Sequence, residues 1–467
     1  MNQNYADFAR YLLLSAVVSI WGCANTNEIT PISKQIDIAP NWQSETNQNS
    51  VEQGWISTLN NQELITFVDL ALVQNQELQQ MYYSVQQSQH DLAIAEAENW
   101  PSINLANSIG RQKNNQPVNY SNSASIGFNF NYELDVFGKL SATQRQAQYL
   151  YLAQQFEYQQ AKEQLVADVI LAYYNVIRQQ QLLQLRQQQL DNAKTDLDII
   201  ERGYKQGINE SLDVYLTRNA LATVEASLME QNSTLVLAIR SLERLVGKYP
   251  AGMLTVSDRF PEISQQISTG VPSELISRKP GIQSAWYSLM SQNEALGIAH
   301  KNRYPSLSFS ASLGDSADSY SNLLSSSELA WSLLGNLTVP IFQGGLLKAQ
   351  EEKARLALKQ SEEIYIATLL DAFADVENTL TQENNLQIQY AKTFSASEYA
   401  QRAQDIAFQQ YQRGLVTYTT VLDAQDRAYS AQINLINLAY QRLENQILLR
   451  LALGGSLTNI NNDLSSS

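Results

Sequence analysis

The chain has 467 residues, 44% of them hydrophobic, with a formal net charge of −15, one cysteine and two histidines. That length allows several packed domains, and the acidic balance leaves no basic surface to neutralise the phosphates of a nucleic acid. Cys23 with His90 and His300 is too small a set for a zinc cluster or a disulfide framework, so neither a metal nor another cofactor is expected. The two histidines read as ordinary surface or inter-helix residues. The charge itself reads as a solvated surface or, around a conduit, as a preference for cations.

Residues 11–21 form an apolar run too short to span a bilayer, preceded by Arg10 and followed by Gly22 and Cys23. This is the shape of a signal-peptide core, with residues 1–22 as the leader. A lone cysteine just after a small residue resembles a bacterial lipobox, in which the cysteine becomes the first mature residue and carries acyl chains. Trp21 and Asp7 depart from that pattern, and a plain signal peptide with an incidental cysteine is the alternative. Buried acyl chains supply ~0.8 kcal/mol per CH₂, so lipid on Cys23 would be a firm anchor. Ala24 after the cysteine resembles sorting to the outer membrane. Residues 23–60 are polar and carry Pro31 and Pro40, which predicts an extended wrapping segment pinned by Trp42 and Trp55.

Residues 61–247 then set out a pattern. A short amphipathic helix over 61–74 precedes a second over about 77–98, ended by Trp100-Pro101. The period changes to two, predicting strands at about 101–109 and 123–136 around a polar loop, 110–122. After Phe137-Gly138, residues 139–202 hold no Gly or Pro, and apolar residues recur every seventh position from Val169 to Tyr204. The predicted helix, about 139–203, is roughly 96 Å long over those 64 residues. A turn through Gly203 and Gly207 leads to a return helix over about 211–246.

After a linker at 248–279, residues 280–455 repeat this order. Strands are expected at about 305–313 and 328–340, a long helix at about 345–411 and its return at about 418–453, before a tail at 456–467. Pro305 follows Pro101 by 204 residues, while Gly414 follows Gly207, and Gly454 follows Gly247, by 207. Near-constant offsets indicate a tandem duplication.

Four strands with one apolar and one polar face cannot make a two-layer core, and open edges are forbidden in lipid. Copies must therefore assemble. Two copies give eight strands whose interior fills with side chains, whereas three give twelve and a lumen. The Gln-rich long helices then read as a wall with water on both sides, continuing the barrel.

Tyr411-Gln412-Arg413-Gly414-Leu415-Val416-Thr417, Val421-Leu422-Asp423-Ala424-Gln425 and Leu453-Gly454-Gly455 resemble the TolC-like outer-membrane factors. The branch they resemble is the lipoproteins serving resistance-nodulation-division efflux pumps. Residues 271–276 and 278–282 look like that family's entry to its second repeat, with Lys279 and Gly281 where it prefers Arg and Asp. The resemblance implies an α+β membrane protein: a trimeric twelve-stranded outer-membrane β-barrel continued by a long periplasmic α-helical barrel with an equatorial belt. The implied partners are two further copies, outer-membrane lipids, a periplasmic adaptor and an inner-membrane pump. The implied function is a passive exit duct for drugs or other small toxic compounds.

By the same resemblance, the helix turns at Gly207 and Gly414 form the periplasmic tip. Asp423 is implied as a pore-facing selectivity carboxylate, and Tyr411 paired with Asp213 as a lock. Thr420 stands where a second acid is frequent. An alternative for Asp423 is an acid near a helix start interacting with the helix dipole. Protein secretion and metal-ion efflux share the architecture, and a structural coiled-coil envelope lipoprotein is the rival from another class. No HExxH, phosphate loop or Ser/His/Asp cluster points to an enzyme.

Overall fold

The computed structural model describes residues 38–43, 51, 54, 56, 59, 61–115, 117–257, 259–261, 267–323 and 329–455. Cys23 with its leader, Trp55 and the tail at 456–467 lie outside them. Helices α1 (Gln62–Gln74) and α2 (Gln76–Ala97) lead into the hairpin β1 (Ser102–Asn115) and β2 (Val118–Leu134). The 67-residue α3 (Lys139–Lys205) and the 35-residue α4 (Ser211–Leu245) follow. After a short α5 (Pro272–Arg278) come α6 (Pro280–Lys301), β3 (Ser306–Ala317) and β4 (Ala330–Thr338). The chain then runs through the 67-residue α7 (Leu346–Gln412) and the 35-residue α8 (Tyr418–Ala452). Among the described residues two compact units result: 85–155 with 284–366, and 38–84 with 156–283 and 367–455.

The first unit holds the sheet, an antiparallel meander in the order β1-β2-β3-β4. Rows run straight across it. Leu105, Phe128, Leu313 and Trp331 are cross-strand partners in turn, as are Ile103, Phe130, Ala311 and Leu333. Period-two alternation puts these rows on one apolar face and the row Asn104, Asn129, Ser312, Ser332 on the other. Ser108 and Ser125 hydroxyls meet on the polar face at 2.7 Å, and Ser312 and Ser332 at 2.8 Å. Also on that face, Gly127 and Gly314 are partners, and a Cβ on Gly314 would lie 2.7 Å from the Gly127 Cα. Only glycine permits so close an approach.

The expected polar loop at 110–122 is corrected. The ladder continues through Arg111↔Asn122 and Lys113↔Tyr120 to Asn115↔Val118. Strand pairing needs backbone partners rather than apolar side chains, so it outlasts the alternation that signalled it. For the same reason β3 extends to Ala317. Where β2 meets α3, Asp135 accepts from the backbone N–H groups of Leu140 and Ser141, both at 2.8 Å, and caps the helix. His300 joins α6 to α7 through Glu351, Nδ1 to Oε1 at 3.0 Å.

The second unit is built on an apolar core. Leu64, Val68 and Ala71 of α1 pack with Val169, Ile170 and Tyr173 of α3, Leu242 of α4, and Leu443 and Ile447 of α8. The buried Tyr173 hydroxyl lies 2.7 Å from both Glu63 and Ser257 and accepts from Asn61 at 3.1 Å. Glu243 accepts from the N–H groups of Gly252, Met253 and Leu254, fixing the segment after α4. Trp42 is buried against Phe373 and donates to the Gly270 carbonyl at 3.1 Å, so it does pin the N-terminal segment. The Gln160 side chain lies where a Cβ on Gly281 would project.

Candidate functional site

Both long helices end in the same backbone motif. Gly207 N–H donates to the Tyr204 carbonyl at 3.0 Å and Ile208 N–H to Gly203 at 2.9 Å. Gly414 donates to Tyr411 at 2.8 Å and Leu415 to Gln410 at 2.9 Å. This double closure is the Schellman arrangement, and it needs a left-handed residue, supplied by Gly207 at φ 73° and Gly414 at φ 71°. Around the turns, Ile200 of α3, Val214 of α4, and Tyr418 and Val421 of α8 form a small buried cluster, flanked by Tyr411 and Phe408 of α7.

Polar contacts surround that cluster. The Tyr411 hydroxyl donates to Asn209 Oδ1 at 3.0 Å, and Asn209 Nδ2 donates to the Ile200 carbonyl at 3.2 Å. The expected Tyr411–Asp213 bond is therefore corrected. Asp213 is turned to its own helix start, where its Oδ2 accepts from the Glu210 N–H at 3.3 Å. The physical reason is local: an acid in the first turn finds an unpaired backbone donor beside it. Asp213 still acts on Tyr411 through space. Burial raises the Tyr411 phenol, the Asn209 bond opposes this, and the charges of Asp213 and Asp196 add to the rise.

Deeper along the helices, the buried Asp196 of α3 accepts from Gln425 Nε2 of α8 at 2.8 Å. Burial raises its carboxyl above the ordinary value despite that bond. Asn192 of α3 donates to the Tyr429 hydroxyl at 2.5 Å. Asp423 is mostly exposed and accepts from Arg427 Nε at 3.1 Å. It lies beyond the first turn of α8, which removes the helix-dipole reading. Arg218 grips Glu201 Oε1 with Nε at 3.1 Å and Nη2 at 2.7 Å. The arrangement is a set of side-chain ties closing helix ends over an apolar plug.

The sequence profile described as outer membrane efflux protein matches residues 67–248 and 271–455. The chain belongs to this family. Among curated members, the pyoverdine export outer membrane protein OpmQ of Pseudomonas aeruginosa is 28% identical over 460 residues, covering 95% of this chain and 96% of that protein. The cation efflux system protein CusC of Escherichia coli K12 is 26% identical over 435 residues, covering 91% and 93%. The Campylobacter jejuni CmeC outer membrane channel superposes with a TM-score of 0.86 over 94% of this chain and 97% of its own, at 22% identity. That likeness carries the fold alone.

Three residues of this efflux-family tip escaped the sequence reading: Asn209, Asp196 and Gln425. The repeat itself held the signal. At the 207-residue offset Asn209 faces Val416, Asp196 faces Ala403 and Gln425 faces Arg218. Asn209 and Asp196 are polar where their repeat partners are apolar, and Gln425 is neutral where its partner is charged.

Proposed function

We propose that three copies of this efflux-family chain form the exit duct of a tripartite efflux assembly, with the two helix turns as its periplasmic gate. One observation supports this above the rest. The four-stranded sheet has an apolar face, yet β1 and β4 each lack a neighbour on their outer edge among the described residues. In lipid those edges must be paired, and pairing β1 of one copy with β4 of the next seals the sheet. Twelve strands then enclose a water-filled lumen.

In that assembly the Asp423 side chains of three copies meet at the constriction and favour cations, each moderated by its Arg427. Cys23 carries the lipid that holds the mature chain to the outer membrane, and an adaptor and an inner-membrane pump supply the cargo. The relatives' names give pyoverdine for OpmQ and cations for CusC, cargoes that differ widely for one fold. Cargo choice therefore belongs to the pump. Single-channel recording of purified protein tests the reading. We expect a small, cation-selective conductance, with selectivity lost in Asp423→Ala. A protein that passes no ions even with its tip ties removed would overturn the duct in favour of a structural envelope lipoprotein.

A further inference from the structure

The apolar face of the sheet ends on β1 at Ile109. The next two side chains on that face are Arg111 and Lys113, opposite Asn122 and Tyr120 of β2. Same-face neighbours lie about 6.6 Å apart, so the two cations stand roughly 7 and 13 Å beyond the last apolar side chain of β1. Both lie over one aromatic ring. The Arg111 guanidinium carbon is 5.0 Å and the Lys113 ammonium 5.8 Å from the Tyr120 centroid. The ring's negative face offsets part of their mutual repulsion and gathers both on the hairpin's apolar side.

The acids of the sheet are elsewhere. Glu133 sits at the helical end of β2 and takes Lys139 at 2.7 Å. Asp315 shares the apolar face but pairs with Ile126, four residues or about 13 Å along β2 from Asn122. Beyond β3, Asp318 accepts from Asn322 at 3.0 Å. Among the described residues no ion pair involves Arg111 or Lys113. In a chain of net charge −15, a doubly positive spot therefore crowns an apolar band, at the end of the hairpin away from the helices.

We propose that Arg111, Lys113 and Tyr120 form a docking site for a phosphorylated glycolipid of the outer leaflet. Its acyl chains lie along the Ile103, Leu105 and Ile109 side of β1, and its phosphate takes the two cations at headgroup depth. This rests on the reading of the sheet as an outer-membrane barrel wall. Charge complementarity and continuity with the apolar face select a lipid over a free anion.

The test uses the full chain, purified in detergent and titrated with an acylated glucosamine disaccharide bearing phosphates, with its dephosphorylated form, and with inorganic pyrophosphate. Native mass spectrometry reads occupancy. We expect the phosphorylated lipid to be retained, Arg111→Glu with Lys113→Glu to weaken it by about tenfold or more, and Tyr120→Leu to weaken it by about threefold. Equal retention of the dephosphorylated lipid, pyrophosphate binding as tightly as the lipid, or an undiminished double variant would each overturn the site. Planar-bilayer conductance separates the two readings, because the double variant should conduct like the wild type. Protein that holds the lipid through these residues but passes no ions would sink the duct and leave the lipid site standing.

Discussion

The two helix turns share a backbone and differ in everything attached to it. Each closes with the same pair of hydrogen bonds around a left-handed glycine, at φ 73° and 71°. The first carries Asn209, which ties α3 to Tyr411 of α7, while its repeat partner Val416 has no side-chain donor or acceptor. Farther along, Gln425 reaches a buried carboxylate, whereas its partner Arg218 holds a partly exposed one. Duplication supplied the hinge geometry twice, and divergence placed the ties between unlike partners.

The largest effect should come from the buried tie. Gln425→Leu removes the Gln425 donor from the buried Asp196 side chain and is expected to lower tip stability by about 1–3 kcal/mol, read by denaturation under far-UV circular dichroism. Arg218→Leu, at the matching position, should leave the midpoint where it was. The same carboxylate gives a pH signature. Its folded pKa lies above the ordinary 3.8, so the folded tip binds the proton more tightly than the unfolded chain. Stability must then fall as pH rises from that value through the raised pKa, and acid should tighten the tip. Asp196→Asn should abolish that slope, and a slope that survives would remove Asp196 as its source.

Next in size, Gly207→Ala and Gly414→Ala should each destabilise by about 1–2 kcal/mol, because a Cβ meets open space at both sites and only the backbone conformation resists. Unequal losses would show that the two turns differ in backbone as well as in side chains. Tyr411→Phe and Asn209→Ala should each admit more bulky antibiotic and couple by about 0.5–1 kcal/mol in a double-mutant cycle. Tyr411→Phe with Asp213→Ala should simply add. Smallest, Asp423→Ala removes a solvent-exposed pair and should change stability by under about 1 kcal/mol while altering ion selection.

Much of this molecule could be read from spacing. A run without Gly or Pro marks α3 because nothing in it stops a helix, the repeat marks α7, and alternation marks the sheet because one of its faces must be apolar. The hairpin end at Arg111–Asn122 reads as a loop in the sequence because its polar side chains carry no such signal, while its backbone still pairs. At the tip, Gly207, Gly414 and Tyr411 were visible as a repeated turn. Asn209 was not, since a hydrogen bond from the α3–α4 turn to α7 depends on a helix approach that no local pattern encodes. Resemblance pairs Asp213 with Tyr411, whereas the Glu210 N–H beside it takes the carboxylate.

The outer edges of β1 and β4, which have no neighbour among the described residues, bear on inheritance as well as architecture. A subunit whose β4 edge is spoiled, for instance by a proline, remains able to dock through β1 and would trap two sound neighbours in a wall that cannot shut. Such alleles should be dominant over the wild type when both are expressed together, whereas a deletion of the whole chain should be recessive.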